Sequence, residues 1–318
     1  MELQTHVPLS KSPIPISYDS EILLLGSCFA NHIASRLTYF QFRNRVNPFG
    51  TLFHPKAITN LIIRSLEGRN FRKEDLIYHQ EQWHCFEVHS EMSRAKADDL
   101  LAGLNTGLHE LREFLLNASH LVITLGTAWG YRRKDSGSWV ANCHKVPQSE
   151  FAKILSTPAE IKYDLIKALT AVFEINPGIG IVFTVSPVRH LKDGFVENQR
   201  SKAHLIVAVH ELVEKFSKKK VHYFPSYELM MDELRDYRFY EADMVHPNTL
   251  AVDYIWEKFN SVCVDQKEHA VMRSVEEIQK GLAHKPFNPQ TEAHKAFELA
   301  LGEKIDDLKK RYPFMKFE

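Results

Sequence analysis

The sequence predicts an α/β fold built on a mostly parallel, doubly wound sheet, and three observations carry that expectation. Short apolar runs recur at 21–26, 120–125 and 180–185, each followed by a glycine or a Ser-Pro turn. Strands buried on both faces of a parallel sheet read as continuous apolar runs of this kind. Segments of helical spacing separate them, and such alternation sustained over roughly 240 residues implies crossover connections within one sheet. From about residue 266 the pattern ends in two charged helical segments with no strand between them. The expected organisation is a sheet domain over residues 1–265, which holds the candidate chemistry, and a C-terminal helical extension over 266–318.

A length of 318 residues accommodates one large domain and a smaller appendage. The 44% hydrophobic and 25% charged content is that of an ordinary soluble globular chain. Lys+Arg and Asp+Glu both number 40, a balance that gives no support for a nucleic-acid or membrane-surface partner. The first 20 residues lack the basic segment and apolar run of a secretory leader. No apolar stretch approaches the roughly 20 residues that cross a bilayer. Cys28, Cys85, Cys143 and Cys263 are scattered without a CxxC pair, which argues against a zinc ribbon or a disulfide framework. These features predict a reducing, cytoplasmic setting with no cofactor and no metal.

In chain order, residues 1–20 read as an extended lead-in, 21–26 as the first strand and the segment to about 39 as its helix. A second strand is expected over 40–46, a turn-rich loop at 47–51 and a helix over 54–66. Residues 77–89 alternate as one strand, an insertion beside the main sheet. A long amphipathic helix over 96–117 leads into the strand at 120–125. A hairpin over 131–142 turns at Asp135-Ser136-Gly137. Helices over 158–175 and 199–218 flank the strand at 180–185. A short strand at 221–224 and a helix over 247–262 complete the pattern, and 276–283 and 290–310 are the charged appendage.

The stretch around which the chain is organised is Leu23-Leu24-Leu25-Gly26-Ser27-Cys28-Phe29-Ala30. A strand, a tight turn and a helix place two potential nucleophiles, Ser27 and Cys28, at the carboxyl end of a strand, where open α/β sheets bind ligands. The free N–H groups of a helix N-terminus also suit a developing anion. Far along the chain, Asp243-Met244-Val245-His246-Pro247-Asn248 sets a carboxylate three residues before a histidine. That spacing lets Asp243 accept the Nδ1–H of His246 and leaves Nε2 free to take a proton. Pro247 suits the first position of the following helix.

Leu-Gly-Ser-Cys-Phe-Ala at residues 25–30 and Asp-x-x-His-Pro-Asn at 243–248 resemble the first and last motif blocks of the SGNH (GDSL-like) hydrolases. More closely, Gly26 to Ala30 spells the signature of the GSCFA family. Asn47-Pro48-Phe49-Gly50, Thr124 to Trp129, Asn142 to Lys145 and Ser186 to His190 are similar to that family too, so the resemblance spans roughly 20–260. It implies a flavodoxin-like three-layer sandwich and acyl-ester chemistry, often deacetylation of carbohydrates. A small acyl ester or acylated carbohydrate is the substrate it implies.

Laid on without a gap, the SGNH Gly-Asp-Ser pattern puts Cys28 at the nucleophile and Ser27 at the Asp, while a shifted register keeps Ser27 as a candidate. A thiol at a helix N-terminus with a histidine in reach is expected to have a lowered pKa. The SGNH Gly-x-Asn-Asp block reads Gly126-Thr127-Ala128-Trp129 here, without the asparagine. The N–H groups of the nucleophile and of Gly50, and the side chain of Asn142, are the candidate oxyanion donors in its place. Arg189 and His190, at a strand's carboxyl end, are the candidate substrate contacts.

Plainer roles stand beside each of these. Cys28 is the kind of residue that packs under a helix, Ser27 suits a helix N-cap, and Asn142 suits a turn closed on its own backbone. Cys143 and His144 are adjacent on the hairpin and so face opposite ways. Three functions follow. The first is an SGNH-type ester hydrolase with Cys28 or Ser27, His246 and Asp243. The second is a thiol acyltransferase to a sugar, and the third an inert SGNH fold that binds a glycan or acyl ligand.

Overall fold

The computed structural model describes residues 5–317, so the first four residues of the extended lead-in lie outside the described residues. Along the chain come β1 (Glu21–Gly26), α1 (Cys28–Tyr39), β2 (Arg43–Val46), α2 (Pro55–Leu66), β3 (Leu76–His79), β4 (Gln82–Cys85), α3 (Ala97–Asn117) and β5 (His120–Leu125). There follow β6 (Trp129–Arg133), β7 (Trp139–Val140), β8 (Phe151–Leu155), α4 (Pro158–Ile175), β9 (Gly180–Val185) and α5 (Phe195–Lys215). The last are β10 (Val221–Tyr223), α6 (Ser226–Glu228), α7 (Thr249–Cys263), α8 (His269–Ala283) and α9 (Glu292–Arg311).

Five strands form the central sheet in the order β10-β9-β5-β1-β2, and every neighbouring pair is parallel. Numbered among themselves they run 2-1-3-4-5, the flavodoxin-like order whose direction reverses beside the first strand. Side chains along each strand alternate between two apolar layers. Leu23, Leu25, Leu121, Ile123, Ile181 and Phe183 pack under α2, α3, α4 and α5. Ile22, Leu24, Val122 and Val182 pack with α1 and α7. The result is a three-layer α/β/α sandwich with the reversal point at the carboxyl end of β1.

Three segments depart from the sequence expectation. Residues 77–89 are not one strand: Gln80 and Glu81 both take positive φ, at 47° and 61°, and turn the chain into the antiparallel hairpin β3–β4. Paired positive φ values are the backbone of a two-residue hairpin turn. The hairpin of β6 and β7 gains a third strand, β8, on the other edge of β6. Pro247 does not open α7, because Asn248 takes the N-cap and its side chain accepts from Ala251 N.

The charged appendage shares a core with the sheet domain. Val271, Met272, Val275 and Ile278 of α8 lie in the same apolar layer as α1 and α7. The lead-in belongs to that layer too: Ile16 and Tyr18 are fully buried, and Ile16 N bonds Cys263 O at 2.7 Å.

Gly26 ends β1 at φ +131°, and a Cβ there would sit 2.0 Å from the carbonyl oxygen of Thr124 on β5. Its N–H donates to Asn47 Oδ1 at 2.8 Å and its carbonyl accepts from Leu52 N at 2.9 Å, so the 47–52 loop closes on this one residue. Gly26→Ala is expected to lower stability by about 3 kcal/mol or more, from backbone strain and the clash together. The urea midpoint of the variant checks this, and an unchanged midpoint would contradict it.

Candidate functional site

Ser27 follows Gly26 and caps α1 by accepting the N–H of Phe29 at 3.3 Å. The residue is wholly buried, and its N–H is held by Thr124 O at 3.0 Å. Cys28, one residue on, opens the helix and is partly exposed. Of the two candidate nucleophiles, solvent reaches only Cys28. Burial pushes its thiol up, against the opposing pull of its own N–H, the charge of Lys202 and the N–H of Phe29. The expected lowering is therefore corrected, because desolvation outweighs the helix end.

Asp243 and His246 form the pair that their spacing predicts. Asp243 Oδ2 accepts His246 Nδ1–H at 2.6 Å, and Asp243 Oδ1 takes the backbone N–H of Val245 at 2.8 Å and of His246 at 3.0 Å. These bonds, led by the His246 N–H, hold the carboxyl down to about 2, so it is charged at any physiological pH. Glu241 N bonds His246 O at 2.8 Å and Met244 N bonds Glu241 O at 2.9 Å, which closes the loop on itself. Met244 carries a positive φ of 56° to make this closure. The Nε2 of His246 has no protein hydrogen bond among the described residues.

Arg189 reaches this loop from the carboxyl end of β9, and His190 follows it on the same segment. Arg189 N donates to Val245 O at 3.2 Å, its guanidinium donates to Met244 O, and the same group stacks over Tyr240 at 4.3 Å. Arg189 thus braces the His246 loop. His190 is pushed down to about 3 by burial, then by the charges of Lys202 and His246, and its buried Nε2 has no partner. His32, one turn after Cys28 on the same face of α1, is lowered by burial and next by His246. The imidazole of His246 thus acts electrostatically on both His190 and His32.

Residue reasoning missed Lys202. It lies on α5 and is 1% exposed, with Nζ donating to Gly126 O at 2.8 Å and Ser186 O at 2.7 Å. Those carbonyls follow β5 and β9. Neighbours on the same helix face hold the same two loops: Asn198 Oδ1 accepts His190 N at 2.8 Å, and Ser201 Oγ accepts Ala128 N at 2.7 Å. The available signal was a buried stripe of polar residues, Asn198, Ser201 and Lys202, at positions where an amphipathic helix should be apolar. Burial lowers Lys202 to about 7.

Of the two expected oxyanion donors, the Gly50 N–H is already engaged and Asn142 is tied into a turn of its own. Gly50 N is already bonded to Asn47 O at 2.8 Å, and its positive φ of 75° serves that turn. Asn142 Oδ1 accepts His144 N at 2.9 Å and its backbone N bonds Phe86 O, so it closes a local turn among residues outside the Cys28 group. The Gly126-Thr127-Ala128-Trp129 block offers no substitute. Gly126 N and Thr127 N both donate to Phe53 O, Ala128 N to Ser201 and Trp129 N to Thr127 Oγ1. A cavity of about 800 Å³ lies between α8 and α9, lined by residues such as His284, Phe287 and Phe297. None of its lining residues belongs to the Cys28 group, so its size says nothing about this chemistry.

The model of the GSCFA family matches residues 21–259 and that of the GSCFA domain protein, C-terminal domain, matches residues 275–318. The chain belongs to the GSCFA family. Among curated proteins none matches it. Of solved structures, it is similar to an acetyl xylan esterase, Est2A, from the rumen bacterium Butyrivibrio proteoclasticus. That match has 12% identity and a TM-score of 0.39, and covers 81% of this chain and 66% of the esterase chain.

The lysine in this site gives a pH signature. Between about 7 and the ordinary lysine value of 10.5 the unfolded chain holds a proton that the native chain lacks. Stability therefore rises with pH through that window. Relative to Lys202→Met, the wild type is expected to gain up to about 1.4 kcal/mol per pH unit from pH 7 to pH 10. Urea unfolding of both proteins across that range checks it, and a constant difference would contradict it.

Proposed function

We propose that this member of the GSCFA family performs acyl-ester chemistry, with Cys28 as nucleophile, His246 as general base and then acid, and Asp243 as the group that orients it. The observation that carries this reading is the Asp243–His246 pair with Nε2 unbonded, taken with the partly exposed thiol at the start of the helix that follows β1. The burial of Ser27 and its duty as a cap favour Cys28 over the hydroxyl.

In this reading the Cys28 thiolate attacks the ester carbonyl and the bond to the leaving oxygen breaks from the tetrahedral intermediate. Asp243 holds the imidazole with Nδ1 protonated, which leaves Nε2 to carry the proton that the leaving alkoxide needs. The oxyanion is met by the Cys28 N–H at the start of α1, where the helix dipole and unpaired N–H groups favour negative charge. The thioester that remains is resolved by water, which makes the enzyme a hydrolase. The resemblance to SGNH hydrolases makes an acylated carbohydrate the first substrate to offer. Resolution by a sugar hydroxyl instead would make the enzyme an acyltransferase, a route that a thioester intermediate serves equally.

Incubation with an activated acyl ester, followed by intact mass and peptide mapping, tests the assignment. The acyl group is expected on Cys28 in the wild type and absent in Cys28→Ala. His246→Ala is expected to lower turnover by about a hundredfold or more. An adduct on Ser27 would move the nucleophile. Unaltered turnover in His246→Ala, or no adduct with either an ester or a thioester, would overturn the reading.

A further inference from the structure

Two polar side chains that line one cavity hold donors with no acceptor. The cavity, of about 340 Å³, lies between the first turns of α2 and α4 and the hairpin of β6 and β7. Arg132 on β6 makes no hydrogen bond or ion pair among the described residues, and its buried Nε is without a partner. Ser156, between β8 and α4, is 3% exposed and lines the same cavity. Its Oγ lies 3.2 Å from His54 Nε2. The Nδ1 of His54 accepts the N–H of Lys56 at 3.0 Å, and burial pushes this imidazole down to about 4. The ring is therefore neutral with its proton on Nε2, shared between Ala128 O and Ser156 Oγ. Ser156 accepts from His54, and its own O–H has no acceptor among the described residues. The same proton position excludes His54 as a base for Ser156.

Packing fixes the arginine in place. Arg132 stands opposite Trp139 in the β6–β7 register, and its guanidinium lies 4.7 Å over the indole. Trp139 in turn stacks on His54 at 4.7 Å and 24°, and a Cβ on Gly130 would come within 2.2 Å of its ring. A planar fork of N–H donors set in advance on an aromatic face matches a carboxylate or a phosphate. Neighbouring charges decide between the two. Lys56 is spent on Asp164, and Glu160 Oε2 accepts Thr157 N and Oγ1 at 2.8 and 2.9 Å. Both carboxylates line the cavity and repel a dianion more strongly than a monoanion. Tyr163, whose ring is exposed, adds an aromatic wall that suits a flat ring. The volume is at the low end of small-molecule sites.

We propose that this cavity binds a small aromatic monocarboxylate, with Arg132 and Ser156 donating to the carboxylate and the ring of Tyr163 beside its body. None of the lining residues belongs to the Cys28 group, so this is a second site, and it does not rest on the ester reading. It adjoins the loop that follows β5. Ala128 O accepts from His54 Nε2 and from Ser156 N at 2.9 Å, and Ala128 N donates to Ser201 Oγ on α5.

Ligand-observed NMR with benzoate as the probe tests the site, with inorganic phosphate as competitor. Wild-type protein is expected to bind benzoate saturably with a Kd of about 10 mM or tighter. Benzyl alcohol, which keeps the ring and lacks the charge, is expected to bind about tenfold more weakly, and phosphate to compete no better than benzyl alcohol. Arg132→Met is expected to weaken benzoate binding by about tenfold or more and Ser156→Ala by about threefold. Arg133→Met removes the same charge from the other face of β6 and is expected to leave binding unchanged. A second measurement uses only the wild type, so it holds where a variant does not fold. Photolabelling with 4-azidobenzoate, read by peptide mass, is expected to mark the peptides that carry Trp139 or Tyr163 and to be displaced by benzoate. No saturable binding, binding that benzyl alcohol or phosphate matches, an equal loss from Arg133→Met, or no displaceable label on those two peptides would overturn the proposal. None of these outcomes bears on ester turnover.

Discussion

The close backbone approach at Gly26 is the constraint on which the rest of this structure depends. Gly26 stands opposite Thr124 in the β1–β5 register, and its Cα comes so near the Thr124 carbonyl that no side chain fits. This contact ends β1, turns the chain into α1 and lets Ser27 hold both the sheet, through its N–H, and the helix, through its hydroxyl. Because β2 and β5 flank β1 on opposite sides, the turn falls where the sheet order reverses. In sheets of this order such a reversal point is where ligands bind.

The polar face of α5 is the second organising element. Amphipathic helices in this fold bury apolar side chains against the sheet, and α5 does so with Leu205, Ala208, Val209 and Leu212. Its first half buries Asn198, Ser201 and Lys202 instead, each bonded to the backbone of a loop that follows a strand. Arg189, on one of those loops, in turn braces the loop that carries Asp243 and His246. The positions of His190 and His246 are thus traced to one helix by a short chain of hydrogen bonds.

Electrostatics around Cys28 pull in opposite directions. The helix N-terminus and a buried lysine favour the thiolate, while burial favours the thiol and wins. The same desolvation pushes His190 down to about 3 and lowers His32. Asp243, out in solvent and bonded by two N–H groups and the imidazole, stays charged. The site therefore combines one fixed carboxylate with several groups held near or at neutrality, a pattern that environments with different burial produce from ordinary residues.

Local rules made much of this legible from the residues alone. Apolar runs at 21–26, 120–125 and 180–185 mark strands because burial on both faces leaves no polar period, and Asp243 reaches His246 because three residues span one turn. The alternation of elements implied the parallel sheet, and the GSCFA signature implied its flavodoxin-like order. Other features depended on partners far away in the chain. The hairpin turn at Gln80 and Glu81 lacks the glycine or asparagine that announces such turns, and β8 is a strand because β6 offers an open edge. The turn that engages the Gly50 N–H and the one that holds Asn142 through its Oδ1 are invisible without the backbone groups that close them. Lys202 was missed because a lysine in a helix normally points to water. Only the packing of α5 across the ends of β5 and β9 buries it, and burial is a property of the whole fold that no single segment states.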